Sequence, residues 1–71
     1  MKELELKILD LEFTVSELKK ELRRIKSAIN KLDKLSLIPP TEIIVKKENI
    51  EIELKERKEE LKALKKVVKL L

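Results

Sequence analysis

The 71-residue sequence predicts an all-α fold, an antiparallel hairpin of two helices that completes a four-helix bundle by dimerisation. Three observations support this prediction. Apolar residues recur at alternating steps of four and three, the two prolines stand together just past the midpoint, and charged residues of both signs make up 45% of the chain. Steps of this size are typical of helices that pack along one seam.

The first predicted helix covers residues 2–36 and carries an uninterrupted seam. β-Branched residues dominate one core position of its heptads and leucines the other, a common choice in coiled coils. The seam residues are Leu4, Ile8, Leu11, Val15, Leu18, Leu22, Ile25, Ile29 and Leu32. This unbroken rhythm predicts one continuous helix.

The break between the helices is predicted at Pro39 and Pro40, in a loop of residues 37–41. Proline lacks a backbone N–H and clashes with the preceding helical turn, so the first helix must stop before this pair. Thr41 is predicted to cap the second helix, and Glu42 suits the positive end of the helix dipole.

The second predicted helix covers residues 42–71, and its length suits side-by-side packing against the first. Seven of its nine seam sites are apolar, and Lys47 and Arg57 occupy the other two. The full set is Ile43, Lys47, Ile50, Leu54, Arg57, Leu61, Leu64, Val68 and Leu71.

A polar seam residue commonly fixes register or oligomer state at some cost in stability. We expect Arg57 to pack its aliphatic stem near Leu18 and to extend its guanidinium group to Glu17 or Glu21.

The charge distribution predicts that the helices run antiparallel. Residues 1–15 and 41–54 each hold two basic and four acidic residues, a net charge of −2. Residues 16–36 and 55–71 each hold seven basic and three acidic residues, a net charge of +4. A hairpin sets each negative segment beside a positive one, which favours this orientation over parallel self-pairing.

An alternative fold, a small β-α-β-β-α protein, rests on two segments that alternate apolar and polar residues. These are residues 3–15 and residues 42–54, and the second of them would form a β-hairpin. The absence of a turn signal in the first 29 residues argues against this alternative, as does the seam that continues through both segments.

Composition argues against catalysis and against bound groups. The chain has no His, Cys, Tyr or Gly, so its three serines have no base beyond lysines and carboxylates, and no glycine-rich phosphate-binding loop can form. We therefore predict no catalytic residue, no cofactor and no metal site. No apolar run reaches the roughly 20 residues of a membrane span, and no signal peptide is visible, which predicts a cytoplasmic protein.

Abundant Lys and Glu without Gln, Cys or His is typical of proteins from hyperthermophiles and of idealised engineered helical proteins. The plain heptads resemble designed helical hairpins that assemble into bundles. Both origins imply a thermostable chain. The sequence is therefore consistent both with a natural protein and with an engineered protein that has no biological function.

The predicted function is structural: a hairpin that oligomerises, with a dimer favoured, or that docks a helical partner protein. A single seam leaves too little buried surface in so small a chain. We expect apolar residues outside the seam to meet at the open end of the hairpin and to extend toward the loop, with Phe13 as an anchor. These interface residues are Leu6, Leu9, Phe13, Val45, Ile52, Ala63, Val67 and Leu70.

The alternative function is a basic module that binds nucleic acid through residues 19–26. The net charge is +4, and this stretch is the densest basic cluster in the chain. Its basic residues are Lys19, Lys20, Arg23, Arg24 and Lys26. Two glutamates interrupt or border the run, and aromatic stacking groups are absent, which weakens this hypothesis.

Overall fold

A computed structural model describes residues 2–71, which form two α-helices joined by a loop at residues 35–40. Helix α1 spans Lys2–Lys34 and helix α2 spans Thr41–Leu70. Lys7, early in α1, contacts Glu60, and Glu21, farther along α1, contacts Lys46, which comes before Glu60 in α2, so the helices run antiparallel. The rod they form measures 54 × 15 × 14 Å, and the predicted helical hairpin is confirmed.

The β-α-β-β-α alternative is wrong. Residues 3–15 and 42–54 are helical throughout, and no strand occurs among residues 2–71. In residues 3–15 the heptad pattern and the strand pattern share apolar residues, but the burial of individual residues distinguishes the two patterns. Leu11 and Val15 are buried as the heptad pattern requires, whereas Phe13, which a strand would place on the same face as both, is exposed.

The predicted seam is the contact between the helices. Every seam position of α1 is buried or half-buried, and so are those of α2, except for the exposed Leu71. The centre of the core joins Val15 and Leu18 of α1 to Ile50 and Leu54 of α2. Leu22, Ile25 and Leu61 pack against this cluster while remaining partly exposed.

Helix α1 ends at Lys34, two residues before the predicted end, in a left-handed turn centred on Ser36. The Leu37 N–H donates to the Leu32 carbonyl at 2.9 Å, and the Ser36 N–H donates to the Asp33 carbonyl at 3.0 Å. This pair of bonds is the Schellman motif, which needs a left-handed residue after the helix. Ser36 takes that conformation with a φ of 58°, since the chain has no glycine to supply it.

Helix α2 begins one residue earlier than predicted, and Thr41 is not its cap. Pro40 occupies the N-cap position with φ −58° and ψ 142°, and no side-chain hydrogen bond caps the helix. The Pro40 carbonyl accepts the N–H groups of Ile43 and Ile44 at 3.1 and 3.4 Å. The fixed φ of proline suits the extended cap geometry, so Thr41 becomes the first helical residue instead.

Candidate interaction surfaces

More large apolar side chains are exposed than buried in this hairpin. Among residues 2–71 the buried core consists of Leu11, Val15, Leu18, Ile50 and Leu54. Exposed large apolar residues are Leu6, Leu9, Phe13, Leu35, Leu37, Ile38, Ile44, Val45, Ile52, Val67, Leu70 and Leu71. Seven of the eight predicted interface residues belong to this exposed set, and Ala63 is exposed as well.

The surface of α1 that faces away from α2 is its back. Residues seven apart point in nearly the same direction on a helix, so one row follows the middle of this back. The row consists of Leu6, Phe13, Lys20, Ser27 and Lys34, and all five are exposed. Leu9 lies beside the row between Leu6 and Phe13. The back of α1 is therefore apolar in its first half and polar in its second.

Helix α2 does not place its exposed apolar residues next to those of α1. Val45 and Ile52 lie on the back of α2, on the outer side of the rod. Heptad position places Ala63, Val67 and Leu70 toward one lateral side of the hairpin and Leu9 toward the other. The expectation that both sets meet at the open end is therefore wrong. They lie at the same end but face in different directions.

One lateral side, here called the ion-pair side, carries both salt bridges between the helices. Lys7 Nζ lies 3.9 Å from Glu60 Oε1, and Lys46 Nζ lies 3.2 Å from Glu21 Oε1. In each pair the lysine belongs to a segment with a net negative charge, and the glutamate belongs to a segment with a net positive charge. Both pairs are exposed enough to contribute little to stability. Charge therefore favours the antiparallel orientation through the net charges of whole segments, and not through these two pairs.

The opposite lateral side, here called the lysine side, holds a groove of about 550 Å³ between the helices. Its floor is formed by Val15 and Leu61, and no acidic residue lines it. The lysines around it are Lys19, Lys58, Lys62, Lys65, Lys66 and Lys69. Five of them come from α2, where lysines recur three and four residues apart in the sequence and therefore share one face of the helix. Sequence analysis did not single out this cluster.

The predicted basic cluster of residues 19–26 is divided by the helix. Lys19 belongs to the groove on the lysine side. Lys20, Arg23 and Arg24 instead line a hollow of about 600 Å³ on the back of α1, together with Ser27, Ala28 and Lys31. Because Ser27 and Ala28 are small, the hollow is a shallow depression with a cationic rim. The cluster therefore contributes to two separate surfaces.

Arg57 and Lys47 are half-buried, and each pairs with carboxylates of its own helix. Arg57 Nη1 donates to Glu60 Oε2 at 2.9 Å, and its Nη2 lies 3.7 Å from Glu56 Oε2. Lys47 Nζ lies 3.7 Å from Glu51 Oε1.

The prediction that Arg57 reaches Glu17 or Glu21 is wrong: those two acids pair with Lys20 and Lys46, whereas Arg57 pairs with Glu56 and Glu60. The Arg57 Nε is buried without a hydrogen-bond partner.

A further exposed apolar region surrounds the loop, and the sequence analysis did not predict it. Leu35 and Leu37 are exposed, and Ile38 is 91% exposed. The signal in the sequence was the run of apolar residues immediately before the prolines. The prolines fix the direction of the chain there, but no second layer of structure covers these side chains.

Among residues 2–71, no group of three or more Asp, Glu, His or Cys side chains is arranged to hold a metal ion. Within the same residues, neither helix is long and apolar enough to cross a membrane. No protein-family model matches the chain, and searches of curated proteins and of solved structures found no match either.

Proposed function

We propose that this chain is a structural module that works by self-association of helical hairpins, with a dimer as the basic unit. The observation that carries this proposal is the excess of exposed over buried large apolar residues. Within this set, Leu6, Leu9 and Phe13 form an apolar patch on the back of α1, and such a patch on a small chain usually marks an interface. A single seam, moreover, gives a chain of this size little stability. Docking of a helical partner protein would use the same surfaces.

Assembly would proceed by burial of apolar surface, while charge would select the orientation of the copies. Apolar burial is non-directional, so it cannot by itself choose a register. The alternation of acidic and basic segments provides that choice, since each segment repels its own kind and attracts the other.

Sedimentation equilibrium over a range of protein concentrations tests the proposal. We expect a mass of twice 8.4 kDa at high concentration and a reversible shift to the monomer on dilution. A chain that stays monomeric and fully helical at millimolar concentration would contradict it. Circular dichroism on the same samples shows whether the helices persist after dissociation.

A second candidate function is nucleic-acid binding, and the lysine groove is the observation that favours it. Six lysines without a lining carboxylate form a stronger cationic surface than residues 19–26 alone. Phosphate binding releases counterions, so affinity for DNA should fall steeply as salt rises. The double variant Lys62→Gln/Lys65→Gln should weaken binding, whereas Lys7→Gln on the ion-pair side should not.

A further inference from the structure

The back of α1 is complementary to itself when two copies run antiparallel. Its middle row begins with the apolar Leu6 and Phe13 and continues through Lys20 to Ser27 and Lys34. Reversing the direction about Lys20 sets Phe13 of one copy opposite Ser27 of the other. The same operation sets Leu6 opposite the aliphatic stem of Lys34. The largest exposed apolar side chain thus meets the smallest residue of the row.

The hollow beside Ser27 provides a place for the Phe13 ring. Phe13 is 65% exposed, so most of its surface is uncovered within its own hairpin. The hollow has a volume of about 600 Å³, a floor of Ser27 and Ala28, and a rim of Arg and Lys side chains. An aromatic ring packs well over small residues, and cations near its face add to the attraction. Shape and chemistry therefore match between the two halves of one helix.

The charged residues next to the middle row are also complementary when the second copy runs in the opposite direction. The neighbouring row, also seven residues apart, consists of Glu3, Asp10, Glu17, Arg24 and Lys31. It begins with three acids and ends with two bases. About the same centre, Asp10 comes opposite Lys31 of the second copy, and Glu17 comes opposite Arg24. Two-fold symmetry doubles each pair, so four acid–base contacts form.

One unfavourable contact remains at the centre, where Lys20 meets Lys20. Within the hairpin, Lys20 Nζ already lies 3.5 Å from Glu17 Oε1, which offsets part of its charge. Lys20 is exposed and has a long side chain, so it can turn aside into solvent. The like-charged pair thus weakens this arrangement without preventing it.

We infer that two copies of this chain associate through the backs of their α1 helices, antiparallel, with Phe13 of each copy seated over Ser27 and Ala28 of the other. The inference rests on the proposed self-association and specifies its interface. Each copy offers the same surface, as a two-fold dimer requires. The four helices then lie in the order α2, α1, α1, α2, with the loops at opposite ends.

The first experiment compares Phe13→Ala with Ile52→Ala by sedimentation equilibrium. Both residues are exposed apolar side chains on a helix back, at 65% and 58%. Because the dimer contains two Phe13 anchors, we expect its dissociation constant to rise about 100-fold or more with Phe13→Ala. Ile52→Ala should leave the constant within about threefold, because such residues contribute little when they lie outside an interface.

The second experiment exchanges charges. Asp10→Lys alone and Lys31→Asp alone should each weaken the dimer about tenfold at low salt, since each replaces two attractive pairs by two repulsive ones. The double variant should restore the original affinity. A double variant that dimerises as weakly as the single variants would overturn the proposed register.

The third experiment uses the absence of cysteine in the sequence. Lys20→Cys places one thiol from each copy at the two-fold axis, where mild oxidation should link the copies. Glu59→Cys, at the corresponding middle of the back of α2, is the matched control and should remain unlinked. A disulfide forms only when the Cα atoms approach to about 4.4–6.8 Å, so linkage reports the geometry directly.

These outcomes separate the interface from the function. A dimer that dissociates with Ile52→Ala but not with Phe13→Ala would overturn the α1 interface while keeping self-association. A dimer insensitive to both, linked through neither cysteine, would do the same. A wild-type chain that stays monomeric would overturn both the interface and the proposed function.

Discussion

Replacing Ser36 by glycine should stabilise the hairpin. Ser36 holds the left-handed conformation that ends α1, with a φ of 58°. For an L-residue this conformation costs roughly 1–2 kcal/mol, because Cβ approaches the following carbonyl oxygen. Glycine has no Cβ and avoids this cost, but it loses about 0.5–1 kcal/mol through greater freedom in the unfolded chain.

The expected net gain from Ser36→Gly is about 0.5–1 kcal/mol in the free energy of unfolding. In a chain of this size that gain corresponds to a rise in Tm of about 2–8 °C. Both hydrogen bonds of the turn use backbone groups of residues 36 and 37, so glycine retains them. Urea unfolding followed by circular dichroism, at one fixed protein concentration, measures the change.

Ser16→Gly is the matched control, since Ser16 is exposed in the middle of α1. The same substitution there should lower stability by about 0.5 kcal/mol, because glycine is a poorer helix former than serine. The two variants should thus differ in sign. Equal destabilisation by both would refute the reasoning, because it would mean that residue 36 does not hold a left-handed turn in solution.

Three further outcomes are expected from urea unfolding under the same conditions. Arg57→Leu should raise stability by about 1 kcal/mol, because it fills a seam position with an apolar group and removes a buried Nε that has no partner; a loss instead would mean that the Arg57 ion pairs stabilise the seam. Thr41→Ala should change stability by less than about 0.5 kcal/mol, since Thr41 does not cap α2; a loss near 1 kcal/mol would restore its role as a cap. Leu54→Ala should cost about 2–3 kcal/mol because Leu54 is at the centre of the core, and a cost below 1 kcal/mol would mean that the two helices separate readily there.

The seam could be predicted from the sequence because burial in a coiled coil depends almost entirely on spacing. Leu4 and Leu32 were assigned to it by periodicity alone, and both are half-buried. The turn could be placed between the helices because proline excludes helical geometry for simple steric reasons. Fold class and helix pairing therefore follow from local rules.

The details that sequence analysis missed depend on competition between neighbouring groups. Arg57 pairs with Glu60 and Glu56 of its own helix, whereas Glu21 pairs with Lys46 of α2. Thr41 lost the cap position to Pro40 because the extended geometry of proline met the same requirement one residue earlier. Spacing does not determine which of two nearby partners is chosen.

The arrangement of surface residues was also beyond one-dimensional periodicity. Phe13 and Val67 are both exposed outside the seam. Their heptad positions nevertheless place them on different sides of the hairpin. Deciding between the two lateral sides of a hairpin requires knowing which flanking positions come together. The exposed ion pairs and the lysine groove provide that information.

The loop of residues 35–40 has a consequence for the rate of folding. A short connection costs little chain entropy to close, so the seam positions nearest to it find each other first. Pairing can then spread along the rod one turn at a time, without any search for distant partners. Folding times of microseconds to milliseconds are typical of helical proteins dominated by such neighbouring contacts, and we expect this hairpin to fold within that range. Slower, concentration-dependent phases in a refolding experiment would then report the meeting of two hairpins after each has closed.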